Sequence, residues 1–144
     1  MGRFNQCFPK NDSFQYICSG SDSINFSNYF DVVTAIQSHH YMHKNERKKA
    51  TKCVYKTLKK DDIYICFENI ISEDEDVKKF ELGRWGKYQQ KYGKTEEAAA
   101  ANNARCKKNY FPLTMAQHIQ LLKSTGFNKV HIFWCSLCRL EFTE

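Results

Sequence analysis

Proline and glycine are scarce in this chain: two and six residues respectively in 144. That excludes a collagen-like or low-complexity polypeptide, in which these residues are far more frequent. No apolar run approaches the ~20 residues that cross a bilayer, so no membrane partner is expected. The opening stretch MGRFNQCFPKND has no hydrophobic signal core. Seven cysteines, an odd number, without a secretory signal read as reduced thiols in a cytoplasmic protein. The net charge of +6 is moderate and permits an acidic partner without requiring one. What is present suits a packed globule: 42% hydrophobic and 15% aromatic residues. A chain of this length buries roughly two-thirds of its surface in one domain, so residues 1–144 are read as a single domain.

Along the chain, FQYIC (residues 14–18) reads as a short strand and SGSDSINFSN as a polar loop. FDVVTAI (residues 30–36) is a second strand, apolar enough for burial on both faces. Residues 44–60 read as a helix, with an apolar stripe through Ala50, Cys53, Val54, Tyr55 and Leu58 and Asn45 as its N-cap. DIYICFENI forms a third strand. Strand, helix, strand in this order implies a right-handed crossover and a parallel pair. Ser72 and Glu75 form a capping box for a helix running towards Tyr92, weakened by Gly83 and Gly86. A further helix follows Thr95, supported by Ala98 to Ala101. Thr114 and Gln117 box the start of the clearest helix, and Gly126 ends it. KVHIFW and RLEFT read as two closing antiparallel strands joined by CSLC.

Several constellations carry possible chemistry. Gln37, His39 and His40 follow the end of a buried strand, where ligands gather in open parallel sheets. Histidine accepts a proton near neutral pH; the plainer alternative is one histidine capping the strand and one in the core. Glu68 and Asn69 follow the third strand. They suit orientation of a substrate amine or a histidine, or ordinary strand-end hydrogen bonding. Cys135 and Cys138 make a CxxC pair with no second ligand pair at zinc spacing, and no helix follows as in redox sites, so no metal is expected. The lysine-rich residues 44–60 suit RNA phosphates or a solvated helix face. Trp85, Tyr88 and Tyr92 repeat at helical spacing, as core or as a lid over a flat substrate.

FDVVTAIQSHHYM, CVYKTLKKDDIYICFENI, YFPLTMAQHIQLLKSTGF and VHIFWCSLCRLEF together resemble class I S-adenosylmethionine-dependent methyltransferases over roughly residues 14–144. The resemblance is to the C-terminal portion of that family. It implies a truncated α/β Rossmann-like fold, mostly parallel, with a C-terminal antiparallel hairpin and a lid-like helical segment at about 72–110. The turn before the family's fifth strand, usually Pro-Gly-Gly, is here Lys60-Asp61-Asp62 and must rely on aspartate's backbone tolerance. The resemblance further implies S-adenosyl-L-methionine as methyl donor, with Asp22, Ser23 and Ile24 near adenine. Gln37, His39 and His40 would be catalytic, and Glu68, Asn69, Trp85 and Tyr88 would line a small-molecule or nucleic-acid acceptor. The family's glycine-rich cofactor loop has no counterpart in these residues. Two other readings remain: a non-catalytic module pairing with another chain or itself through an open sheet edge, and an RNA-binding protein using residues 44–60.

Overall fold

The computed structural model describes residues 15–106 and 108–135. Two strands, β1 (Phe30–Ile36) and β2 (Leu58–Phe67), pair in parallel. They are joined by a 3₁₀ turn (His39–Tyr41) and helix α1 (Lys44–Thr57). Helices α2 (Glu75–Lys91), α3 (Glu96–Asn103) and α4 (Met115–Thr125) follow. The parallel α/β unit expected from strand–helix–strand order is therefore present.

β1 and β2 run in step from Val32 opposite Ile63 to Ile36 opposite Phe67, but Phe30 faces Leu58. β2 thus carries extra residues near its start. The left-handed backbone of Asp61, at φ 67°, accommodates them. Aspartate tolerates this region better than most residues because its short polar side chain hydrogen-bonds locally. This is the tolerance the DD turn requires.

Three boundaries differ from the sequence reading. The helix read over residues 44–60 stops at Thr57, because Leu58 is extended, buried and paired with Phe30. Lys59 and Lys60 therefore belong to β2. The helix begins from His43, not Asn45, and the Glu46 carboxylate accepts from the His43 N–H at 2.9 Å. In α2 the cap is Asp74, not Ser72. Its carboxylate accepts from the Asp76 and Val77 N–H groups at 2.8 and 3.0 Å, while the Ser72 hydroxyl only accepts from Asp74. A carboxylate at a helix N-terminus gains from the dipole as well as the hydrogen bonds.

The other two helices follow their sequence signals. Thr95 caps α3, and the Thr114–Gln117 box opens α4. Gly126 closes α4 at φ 129°, where a Cβ would also come within 2.6 Å of the Tyr55 ring.

Two expected strands are absent. Residues 15–18 of FQYIC and residues 129–134 of KVHIFW form no strand, and Tyr16, Ile17, Ile132 and Phe133 are largely exposed. Among the described residues no strand pairs with either segment, and propensity alone does not hold a strand. RLEFT and Cys138 lie outside the described residues, so the C-terminal hairpin is not seen.

The core lies on one face of the strand pair. Ala50, Thr51 and Val54 of α1 are buried with Ala35, Leu58 and Leu122. On that same face Tyr64 stacks on Phe127, and Cys66 lies 3.2 Å from His118 of α4. The opposite face is covered only in part: Phe67 stacks on Trp134, while Val32, Ile36 and Ile63 are 52%, 56% and 59% exposed. α2 and α3 pack on each other, tied by Asn103 donating to the Leu82 carbonyl and Asn102 to Gln89.

Candidate functional site at the carboxyl ends of the strands

β1 ends at Ile36, and the Gln37 N–H donates to the Phe67 carbonyl at 2.7 Å. Gln37 then turns left-handed, at φ 47°, sending the chain across the end of β2. The following turn is clasped by Glu68. One carboxylate oxygen accepts from the His39 N–H at 3.0 Å; the other accepts from the His40 N–H and from His40 Nδ1, both at 2.8 Å. Asn69 Nδ2 lies 3.3 Å from His40 Nε2. With the amide donating there, Nδ1 carries the proton and donates to Glu68. Both ring nitrogens of His40 are thus occupied, and the residue is almost fully buried.

Burial pushes the Glu68 carboxyl up. The hydrogen bonds from the His40 ring and the two turn amides outweigh that, and hold it below the usual glutamate range. The buried negative charge is balanced by Arg47 of α1. Its Nε donates to the His39 carbonyl at 2.8 Å, and its Nη2 donates to the Met42 carbonyl at 3.2 Å and to that of Phe111. Phe111 returns its N–H to the His40 carbonyl at 2.6 Å. Arg47 therefore staples the histidine turn to the segment preceding α4. The sequence alone groups Arg47 with a basic helix face that suits RNA phosphates or solvent. Its only hint there was its helical register with buried Ala50, Thr51 and Val54.

His39 contacts a different part of the chain. Its Nε2 lies 3.1 Å from the Ser21 hydroxyl, and its Nδ1 lies 3.5 Å from Tyr64 Oη. Burial, assisted by Arg47 and His40 and opposed by Glu68, lowers its pKa. At neutral pH it is an uncharged imidazole. The loop that brings Ser21 to it is anchored on α1: the Asp22 carboxylate pairs with Lys49 at 3.1 Å, and Cys53 donates to the Asp22 carbonyl at 3.2 Å. The structure therefore unites the 21–22 loop, the histidine turn and the Glu68–Asn69 pair. Ser23 is exposed and Ile24 half-buried in that loop, and Gln37 is exposed at the rim. Trp85 and Tyr88 stack on each other in α2, with centroids 5.3 Å apart. Tyr110 is buried edge-on to His40 at 6.3 Å.

Behind Glu68, towards α4, is a cavity of about 110 Å³ lined by Cys66, Met115, His118, Leu122 and Trp134 among others. Burial raises the Cys66 thiol to about 11 and lowers His118. The pair is therefore neutral, a thiol donating to an imidazole, and holds no thiolate at neutral pH. Among the described residues no group of three or more His, Cys, Asp or Glu side chains is placed to hold a metal ion. Among them, too, no helix is long and apolar enough to cross a membrane.

The lysine run of residues 44–60 is divided by the fold. Lys49 pairs with Asp22, and Lys59 pairs with Asp31. Lys56, Lys60 and Lys129 border a groove at the opposite, amino end of β2, beside Asp61 and Asp62. That groove receives the C-termini of α1 and α4, whose dipoles attract cations and repel anions.

No protein-family profile matches the chain. It is similar to a curated relative, the carboxy-S-adenosyl-L-methionine synthase of Nautilia profundicola, with 27% identity over 125 residues. The match takes in 87% of this chain but 50% of the relative, so the chain spans about half the length of that enzyme. This similarity supports the broad, methyltransferase-like resemblance.

Proposed function

We propose that these residues form the carboxyl-terminal part of a methyltransferase-like site that uses S-adenosyl-L-methionine or a close derivative. The observation that carries the reading is the clasp of Glu68 on the histidine turn, at the shared carboxyl end of two parallel strands, with the Ser21–Asp22 loop against His39. The relative, whose name refers to a derivative of this same sulfonium compound, supports the choice of cofactor. The residues present fit one flank of such a ligand. The loop of Asp22, Ser23 and Ile24 is ordered by Lys49 and Cys53 next to His39, as an adenosine-facing loop requires. The glycine-rich backbone cradle is not among the described residues.

When bound, the cofactor supplies an electrophilic one-carbon group on sulfur. The chain's own task is to hold an acceptor in line with it, which is the main source of rate in such transfers. His40 is a positioning residue, since both its ring nitrogens are spoken for. His39 is uncharged, and its Nε2 is held only by a serine hydroxyl, so it is the group suited to take the acceptor's proton. Gln37 stands at the rim near it, Asn69 holds the ring of His40, and Trp85 and Tyr88 belong to a helical segment suited to cover the acceptor.

Calorimetric titration with S-adenosyl-L-methionine tests the reading. Saturable binding, weakened by Asp22→Ala, is expected. Absence of any binding at millimolar ligand overturns it.

A further inference from the structure

The cations of this chain are not all treated alike. Lys49, Lys59, Lys78 and Lys79 each meet a carboxylate within 3.5 Å. Between residues 80 and 94, by contrast, four cations share a single acid, the half-buried Glu81. Lys94 donates to Gln89, but Arg84, Lys87 and Lys91 are exposed and, among the described residues, pair with no carboxylate. With Phe80 they follow i, i+4, i+7, i+11 spacing, which sets all four on one stripe of α2, opposite its buried Gly86 and Gln89. The stripe is about 17 Å long at the helical rise per residue.

Aromatic rings are interleaved with these charges. Phe80 is 59% exposed, and the Arg84 guanidinium lies 5.8 Å from its ring centroid. Trp85, Tyr88 and Tyr92 form a ladder along the flank of the helix, with centroids 5.3 and 4.6 Å apart. Its last ring, Tyr92, is 66% exposed, with the Lys91 ammonium 5.9 Å from its centroid. Rings left in water gain little from folding, and unpaired like charges repel one another. Stability therefore does not account for the pattern.

We propose that the outer face of α2 binds single-stranded RNA, with Arg84, Lys87 and Lys91 on successive phosphates and unpaired bases stacked on Phe80 and Tyr92. Cations one helical turn apart, about 5.4 Å, suit the phosphates of an extended strand, and exposed rings beside them suit its bases. A duplex hides its base faces. An acidic peptide answers the cations but leaves both rings in water. An anionic bilayer needs a continuous apolar face, whereas Gly83, Gln90 and the cations stand outward between Phe80 and Tyr92. Loops and ends of folded RNA display unstacked bases for this use. The face is separate from the lysines of α1, and the inference does not depend on the cofactor reading.

Fluorescence anisotropy of the 144-residue chain with a labelled, unstructured A/U oligoribonucleotide of about twelve nucleotides tests it, without cofactor. Saturable binding is expected, weaker for the same sequence as a duplex. Phe80→Ala and Tyr92→Ala, both at exposed positions, should leave the circular dichroism unchanged and weaken binding about fivefold or more each. Changing Arg84, Lys87 and Lys91 together to Gln should flatten the slope of log K against log salt by about 2. Lys48→Gln with Lys52→Gln, on α1, should change neither. Absence of binding overturns the proposal. So does affinity for the duplex, for the DNA strand or for heparin that equals or exceeds that for the RNA strand, or binding unmoved by Phe80→Ala and Tyr92→Ala, since charge alone is then at work. Loss of binding in the α1 variant moves the site to α1, and association with anionic vesicles in place of RNA makes the partner a membrane; either result overturns it too.

Discussion

The two ends of the strand pair hold similar residue types and behave differently. At the carboxyl end, one carboxylate, one guanidinium and two imidazoles are buried and nearly saturated with hydrogen bonds. At the amino end, lysines and aspartates stand in an open groove, answering two helix C-termini and one another. The same charges are costly and specific in the first place, and cheap and replaceable in the second. Desolvation makes that difference. A buried charge must have its partners, whereas an exposed pair contributes ~0–1 kcal/mol.

The largest break in this contrast is Glu68→Ala. It leaves two amides and the His40 ring without their acceptor and the buried Arg47 without its counter-charge, and should cost about 3–5 kcal/mol. Thermal unfolding measures it; a shift no larger than that of an exposed-pair variant such as Lys59→Gln sinks the account. Arg47→Lys should follow at about 2–3 kcal/mol. A single ammonium cannot reproduce a fork that reaches the His39, Met42 and Phe111 carbonyls together. A loss below about 0.5 kcal/mol would mean that the staple is not formed.

Acid should separate the two ends next. The folded pKa values of His39 and His118 lie below the ordinary 6.5, because burial penalises their charged forms. The unfolded chain therefore takes up these protons first as pH falls. The stabilisation is intact above pH 6.5 and is lost progressively below it, towards the depressed folded values. Glu68, also depressed, adds a second loss that begins only below its ordinary 4.5. Melting temperature should thus decline first below pH 6.5, with a smaller slope there in His118→Phe. A flat profile from pH 7 to 5 contradicts the buried neutral imidazoles.

How much of this was legible in the sequence follows the same division. Local signals were readable: the Thr114–Gln117 box, the Gly126 stop and the parallel order of β1, α1 and β2 depend on neighbours in sequence. Strands that need a distant partner were not. Residues 14–18 and 129–134 have strand composition, but nothing among the described residues pairs with them. At the site, His39, His40, Glu68 and Asn69 could be grouped because each follows a strand end. Arg47 could not. It sits among lysines of the same charge and spacing, and only tertiary burial distinguishes it from them. Helix propensity likewise extended α1 through Lys60. It could not register that burying Leu58 against β1 outweighs one more helical turn.

The smallest expected effect lies at the amino end, and its sign is the informative part. Asp61 holds a left-handed backbone, which costs a non-glycine residue roughly 1 kcal/mol. Its side chain is exposed. Asp61→Gly should therefore be neutral or stabilising by up to about 0.5 kcal/mol, since relief of the strain is partly offset by the greater freedom of glycine in the unfolded chain. The same change at Gln37 relieves a similar backbone strain, at φ 47°, at the rim of the candidate site. If the carboxyl end is built for a ligand, Gln37→Gly should gain stability like Asp61→Gly and lose affinity for S-adenosyl-L-methionine, whereas Asp61→Gly leaves that affinity unchanged. Equal behaviour of the two variants in both measurements would erase the functional distinction between the ends and leave only the difference in burial.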